Sequence, residues 1–385
     1  MDIHSSFVVL LIILALGIML PELFKKLHLP FITGIILAGA ILGPNAIDII
    51  EIDQVIEFFG FMGMIFLMLL AGLDTDLNYL KKMRYKIFVI AGFNGLIPFF
   101  VGFLITTLFG YDMMTSLMVG VIFISSSVAI IITILKSSNL FSSSIGQITA
   151  TSILMLDAIS LLALTLIIQR GEAIPWMPFP AYLFLLIGTV LVVFYYLPML
   201  TRFIFRHYMT KPGTDREVRL SLIVIMAVLF LFSLLEVHPV LSAFIVGVTL
   251  SHIIKSEKLY SKISTVGYTF FVPVFFFVVG MELDFSVFTR LDDGTVIILV
   301  LIIAQMLSKT LSGFAGGRFI GLTTKDSALY GTVSITSLTT TLAVTYAAMT
   351  AEILDNVIVT AIIMITIITT ILGPILFRWV NAHIE

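Results

Sequence analysis

Charge is scarce in this chain and cysteine is missing. Of its 385 residues only 11% are charged, while 59% are hydrophobic. Soluble domains carry about 25% charged residues, so no water-facing surface can be built from this composition. With no cysteine, disulfides and thiolate metal sites are excluded. Short segments of alternating polarity are missing too, which excludes a transmembrane β-barrel. No nucleophile–base pair, phosphate-cradling glycine loop or metal-ligand spacing is found, so neither an enzyme nor a bound cofactor is expected. The net charge of −2 gives no electrostatic reason to expect nucleic acid.

What is present is apolar sequence in blocks. Each block is near the ~20 residues a helix needs to cross a bilayer, and backbone in lipid must satisfy its own hydrogen bonds. The sequence therefore predicts an all-α polytopic membrane protein with about 13 transmembrane helices. They run over 4–24, 30–47, 56–73, 86–109, 113–135, 144–169, 179–206, 218–235, 239–254, 264–281, 295–320, 325–350 and 354–380. The first block, Phe7 to Phe24, follows Asp2 and lacks a basic leader and a small-residue cleavage site, so it is expected to be a retained span.

Lysine and arginine set the expected orientation. Lys25 and Lys26, Lys81, Lys82, Arg84 and Lys86, and Arg202, Arg206, Lys211, Arg216 and Arg219 fall in odd-numbered loops, as do Lys255, Lys258 and Lys262. In all, 18 basic residues fall on that side against 2 (Arg170 and Arg290) on the other. The positive-inside rule puts the 18 in the cytoplasm, with the N-terminus outside and the C-terminus inside. Asp48, Glu51, Asp53, Asp292 and Asp293 then lie on the outer side. The basic loop from His207 to Val218 separates two halves of the chain.

Those halves resemble each other. LPFITGIILAGAILGP (29–44) and FLMLLAGLDTDL (66–77) are echoed by HPVLSAFIVGVTLS (238–251) and FFFVVGMELDF (275–285). Pro30 to Gly72 is 42 residues and Pro239 to Gly280 is 41. From Gly72 to Ser126, and again from Gly280 to Ser334, is 54. Five spans thus repeat, two to six and nine to thirteen, starting from opposite faces. Such an inverted repeat is common in secondary transporters, whose sites lie at the midplane on discontinuous helices.

Two ionisable residues fall deep within spans: Asp157 in the sixth and Lys309 in the eleventh. A charge at the bilayer centre costs at least ~2.5–3.5 kcal/mol, so such residues usually face a cavity or each other and mark an ion path; the alternative is a buried salt bridge that only fixes packing. A carboxylate can take a proton or a metal cation and thereby make the two compete. A lone carboxylate does not replace a hydration shell. Hydroxyls at Ser125, Ser126 and Ser127, and at Ser334, Thr336, Ser337, Thr339, Thr340 and Thr341, are suitable partners; close helix packing explains small polar residues equally well. Three successive serines in a span fit a helix interrupted at a cavity. Thr149 shares a helix face with Asp157. Gly34, Gly39, Gly43 and Gly247 read as packing residues. Glu22, Asp74, Asp76, Glu282 and Asp284 lie near span ends and are expected to be solvated; His238 and His252 are expected at the interface.

Taken in order, LPFITGIILAGAILGPN, LMLLAGLDTDL, SSSVAI, HPVLSAFIVGVTLS and FFVPVFFFVVGMELDF resemble the hallmark segments of the monovalent cation:proton antiporter-2 family, which includes NapA-type sodium/proton antiporters and Kef-type potassium/proton systems. The resemblance implies a 13-span homodimer with crossed discontinuous helices in spans five and twelve. It implies a dimerisation part (about 1–80 and 218–290), a core part (about 86–169 and 295–380) and a linker helix (about 179–206); since the chain ends shortly after the last span, the cytoplasmic regulatory domain of Kef systems is not expected. It implies exchange of Na⁺ or Li⁺ for H⁺ across the cytoplasmic membrane by an elevator movement, with K⁺/H⁺ exchange as the alternative, and an ion sensor or channel on the same fold as a second. Asp157 takes the place of the ion-binding aspartate, Ser126 and Ser127 match the unwound segment, and Lys309 resembles the lysine of span eleven. Ser125, Thr149, Thr336 and Ser337 are expected to line the cavity. The chain departs from the pattern at Leu156, where the family carries Asp or Gln. Lys309 then either pairs with Asp157, or loses its proton during the cycle, or sits elsewhere. One-for-one and two-proton exchange both stay open.

Overall fold

A computed structural model describes residues 3–26, 31–50, 52–74, 84–169, 179–208, 215–251, 253–254, 257–287 and 293–383. Leu29, Pro30, Glu51, Asp76, Lys81, Lys82, Arg170, Lys211, His252, Lys255, Arg290 and Asp292 lie outside the described residues. The regular elements are helices: α1 (Ile3–Lys26), α2 (Phe31–Leu42), α3 (Gln54–Leu73), α4 (Arg84–Leu108), α5 (Met113–Ile124), α6 (Val128–Ser137), α7 (Ser144–Ile168), α8 (Phe179–Tyr208), α9 (Asp215–Ser233), α10 (Pro239–Leu250), α11 (Glu257–Val266), a π-helical turn (Gly267–Phe271), α12 (Val272–Met281), α13 (Asp293–Phe319), α14 (Thr324–Ser334), α15 (Thr339–Thr350) and α16 (Asn356–His383).

By length and composition, eight helical stretches among the described residues can cross a membrane: α3, α4, α5 with α6, α7, α8, α11 through α12, α13 and α16. The other five expected spans fall on α1, α2, α9, α10 and the pair α14 and α15. Helices α2 and α10 have 12 residues each, short of the ~20 that hydrocarbon demands. The tenth expected span begins earlier than 264: α11 starts at Glu257 as an amphipathic turn bearing Lys258 and Lys262, so hydropathy alone hides its first residues.

Local chemistry sets several boundaries. Asp112 caps α5, accepting from the Met114 backbone at 2.8 Å. That bond and one from the Thr115 hydroxyl hold its pKa below the ordinary carboxylate value, the hydroxyl contributing most. Thr323 caps α14 by accepting from Asp326 at 3.0 Å. Pro239 opens α10 at a position where no backbone donor is needed.

The chain divides into two compact units, Met1–Phe58 with Leu77–Leu164 and Phe276–Glu385, and Phe59–Asp76 with Thr165–Phe275. In the first, α13 packs against α4, α14 and α16, and α5 against α4 and α15. Glycines set the closest approaches. A Cβ on Gly39 would lie 2.1 Å from the Phe277 carbonyl, and one on Gly280 would lie 2.1 Å from the Ile36 carbonyl, so α2 and α12 cross in backbone contact. In the second unit, Gly247 faces the Leu69 carbonyl and Gly72 the Phe244 carbonyl at 2.2 and 2.4 Å, joining α10 to α3. Small residues at such crossings replace the hydrophobic drive that lipid removes. Also in the second unit, exposed Asp74 accepts from Tyr260 at 2.7 Å, and Lys262 pairs with Asp215 at 2.8 Å.

Gly247→Val is therefore expected to lower the melting temperature of the detergent-purified protein, at a cost of about 1–3 kcal/mol typical of overpacking. Gly188→Ala, where nothing lies within 4 Å of the added carbon, should be neutral or mildly stabilising. Equal melting of the two variants would contradict the contact.

Candidate functional site

Two helices break in the first unit. Between α5 and α6 the chain runs through Ser125 (φ −68°, ψ 154°) and Ser127 (φ −102°, ψ 100°) in extended conformations. Between α14 and α15 it passes Ile335 to Leu338, where Leu338 has φ −156° and ψ −81°. Serine and threonine side chains compete for backbone groups and so weaken a helix. The breaks satisfy each other. The Ser127 backbone N–H donates to the Thr336 carbonyl at 2.7 Å. The Ser126 hydroxyl donates to the Ser334 carbonyl at 2.8 Å, and the Ser125 and Thr341 hydroxyls bond at 2.8 Å. From α16, Thr369 accepts from the Ser337 N–H at 3.2 Å and Thr370 donates to its carbonyl at 3.1 Å. Irregular backbone at membrane depth is tolerated where protein buries it this way.

Asp157, 3% exposed in the middle of α7, holds the junction. Its Oδ1 accepts from the Ser126 N–H at 3.1 Å and its Oδ2 from the Thr340 hydroxyl at 2.9 Å. Ser126 leads into α6, and Thr340 lies in the first turn of α15. The carboxylate thus faces two helix N-terminal ends, where backbone dipoles favour negative charge.

Lys309 is fully buried on α13. Its Nζ donates to the Ile124 carbonyl at 2.5 Å, the Ser126 hydroxyl at 3.1 Å, and the Asn94 carbonyl and Oδ1 at 3.3 and 3.4 Å. Ile124 ends α5, and a helix C-terminus favours positive charge. Lys309 does not pair directly with Asp157: Ser126 stands between them, binding the carboxylate with its N–H and the Lys309 Nζ with its hydroxyl. Leu156 cannot stand in as a polar partner. It is buried with Ala91 and Ile124, and a Cβ on Gly95 would lie 2.8 Å from its Cδ2.

The structure brings Asp157, Ser126 and Lys309 into one connected group. Ser127 joins through its backbone, while its buried hydroxyl has no hydrogen-bond partner among the described residues. Ser125, Thr336 and Ser337 are buried at the breaks. The Thr336 hydroxyl turns back to Val333, and Ser337 accepts from Gln305 at 3.0 Å. Thr149 is buried on α7 two turns before Asp157, where its carbonyl accepts from Ser152 at 3.1 Å. It is not among the hydrogen-bond partners of the carboxylate. Glu282 corrects an expectation: it is half-buried rather than solvated, and burial, then the Glu57 carboxylate, raises its pKa.

Sequence reasoning missed Asn94 and Gln305 and did not single out Thr340. Asn94 ties three helices: its Nδ2 donates to the Lys309 carbonyl at 2.9 Å and to the Ser312 and Ser334 hydroxyls at 3.1 and 3.2 Å. The available signal was a lone amide within an apolar span, in VIAGFNGLIPFF. An uncharged residue carries less warning than an ionised one, because its burial costs less.

Removing one of two opposite buried charges strands the other. Lys309→Met should therefore lower the melting temperature of the purified protein, and Lys309→Met combined with Asp157→Asn should lose less stability than the two changes summed. Strict additivity would contradict coupling through Ser126.

Residues 10–382 match the family model described as "Sodium/hydrogen exchanger, transmembrane". A probable Na⁺/H⁺ antiporter 3 of Methanocaldococcus jannaschii is 30% identical over 346 residues, covering 88% of this chain and 87% of that protein. A Na⁺/H⁺ antiporter of Enterococcus hirae is 26% identical, with 80% of each chain covered. The solved structure of the sodium proton antiporter MjNhaP1 from Methanocaldococcus jannaschii superposes with a TM-score of 0.76 at 18% identity, over 99% of this chain and 98% of that one, a likeness of fold. With nearly its whole length matched, this chain belongs to the transmembrane sodium/hydrogen exchanger family, a family of multi-pass membrane transporters.

Proposed function

We propose that the protein exchanges Na⁺, or Li⁺, for H⁺ across the cell membrane, and that Asp157 binds cation and proton in turn. The observation that carries this reading is the buried carboxylate held at the junction of two broken helices by the Ser126 N–H and the Thr340 hydroxyl. Hard monovalent cations prefer oxygen ligands. We take these to be the Asp157 carboxylate with the hydroxyls of Ser126 and Ser127, the Ser127 hydroxyl having no hydrogen-bond partner among the described residues. A proton on Asp157 removes the charge a cation needs, so occupancy by one excludes the other.

Helices α4 to α7 and α13 to α16 build the site and would move as a core in an elevator cycle, with α8 as linker and the parts near 1–80 and 218–290 as the dimerisation part of a homodimer. The basic loops support an N-terminus outside and a C-terminus in the cytoplasm. Lys309 stands beside the site, its Nζ on the Ser126 hydroxyl.

The test is proton movement in proteoliposomes followed with a pH dye. Na⁺ and Li⁺ should dissipate an imposed pH gradient, and Asp157→Asn should be silent. If K⁺ works equally well or better, potassium/proton exchange is the function. If no cation moves protons, or the variant matches the parent, the mechanism built on Asp157 is wrong.

A further inference from the structure

The Lys309 Nζ sits among four uncharged oxygens from outside its own helix, and Asn94 supplies two of them. Its carbonyl and Oδ1 lie 3.3 and 3.4 Å from Nζ. The other two are the Ile124 carbonyl and the Ser126 hydroxyl. Every one accepts. Even Ser126 Oγ spends its own proton on the Ser334 carbonyl. Meanwhile the Asn94 amide nitrogen grips the Lys309 carbonyl at 2.9 Å, so one residue on α4 holds both ends of the lysine.

This hold has a consequence for the neighbouring carboxylate. Lysine is a compact charge on a flexible stem, and Asp157 lies on the other side of Ser126. A lysine that loses the Asn94 side-chain oxygen and amide grip is held on α4 by one main-chain carbonyl alone; drawn toward the carboxylate, its ammonium would then compete with an incoming cation for the same oxygens. We infer that Asn94 is a positioning residue for ion exchange: by holding the Lys309 ammonium against the end of α5, it keeps Asp157 available to the transported cation. This rests on the reading of Asp157 as the cation-binding group.

A plain structural role is also open to Asn94, because its amide donors join α4 to Ser312 on α13 and Ser334 on α14. The two roles separate by substitution. Asn94→Asp keeps an oxygen for the ammonium and loses the amide donors. Asn94→Leu loses the side-chain oxygen and the amide donors, while the main-chain carbonyl of residue 94 stays on the ammonium in both variants.

The experiment measures the half-saturating Na⁺ concentration from the Na⁺-dependent rise in melting temperature of the purified protein. It is run at a pH alkaline enough that protons do not compete. Charge-assisted hydrogen bonds are among the stronger ones, so Asn94→Leu should raise the half-saturating concentration about tenfold, while Asn94→Asp should stay within about twofold of the parent. In a Lys309→Met background, which has no ammonium to release, adding Asn94→Leu should change nothing. Asn94→Ser, too short to reach the ammonium, replaces Asn94→Leu if that variant does not fold. Equal weakening in Asn94→Leu and Asn94→Asp would show a helix clamp and overturn the inference. So would an unchanged affinity in Asn94→Leu, or an effect of Asn94→Leu that persists without Lys309. If the parent is not stabilised by Na⁺, Li⁺ or K⁺ at all, the exchange reading itself fails, and the inference with it.

Discussion

A carboxylate and an ammonium buried in a membrane protein must find local compensation, because bulk water is absent and the cost of a bare charge is several kcal/mol. Here the backbone supplies it. Breaking two helices where they meet turns N-terminal ends toward Asp157 and a C-terminal carbonyl toward Lys309. Each charge meets partial charges of the opposite sign without the two closing on each other. The serines and threonines of the breaks follow from the same need, since they satisfy the backbone groups that the breaks release.

Separation of the charges is what leaves the site usable. A closed ion pair would satisfy both groups and leave little reason for a cation to displace the ammonium. With Ser126 interposed, the carboxylate keeps two weakly demanding donors, an amide and a hydroxyl. Those can reorganise around a cation or a proton at modest cost.

Much of this was legible in the sequence. The apolar blocks placed the helices because a 20-residue apolar run has few other uses. The run Ser125–Ser127 announced the first break, and Asp157 and Lys309 stood out as charges in apolar surroundings. Less legible were features that depend on which helices touch. Asn94 and Thr340 are ordinary polar residues until α4, α7, α13 and α15 converge on them. The place of Lys309 could not be read at all, because its partners are backbone carbonyls and hydroxyls, which leave no signature in residue type. Glu282 was misjudged because closeness to a helix end says nothing of what packs over it.

The central claim is that one carboxylate serves both ions, and proton release on cation binding tests it most directly. Na⁺ would be titrated calorimetrically into the purified protein in buffers of different ionisation enthalpy, at a pH where Asp157 carries its proton. The account predicts that each Na⁺ bound displaces about one proton and that Asp157→Asn neither binds Na⁺ nor releases a proton. Sodium binding without proton release, or release that survives Asp157→Asn, would contradict it.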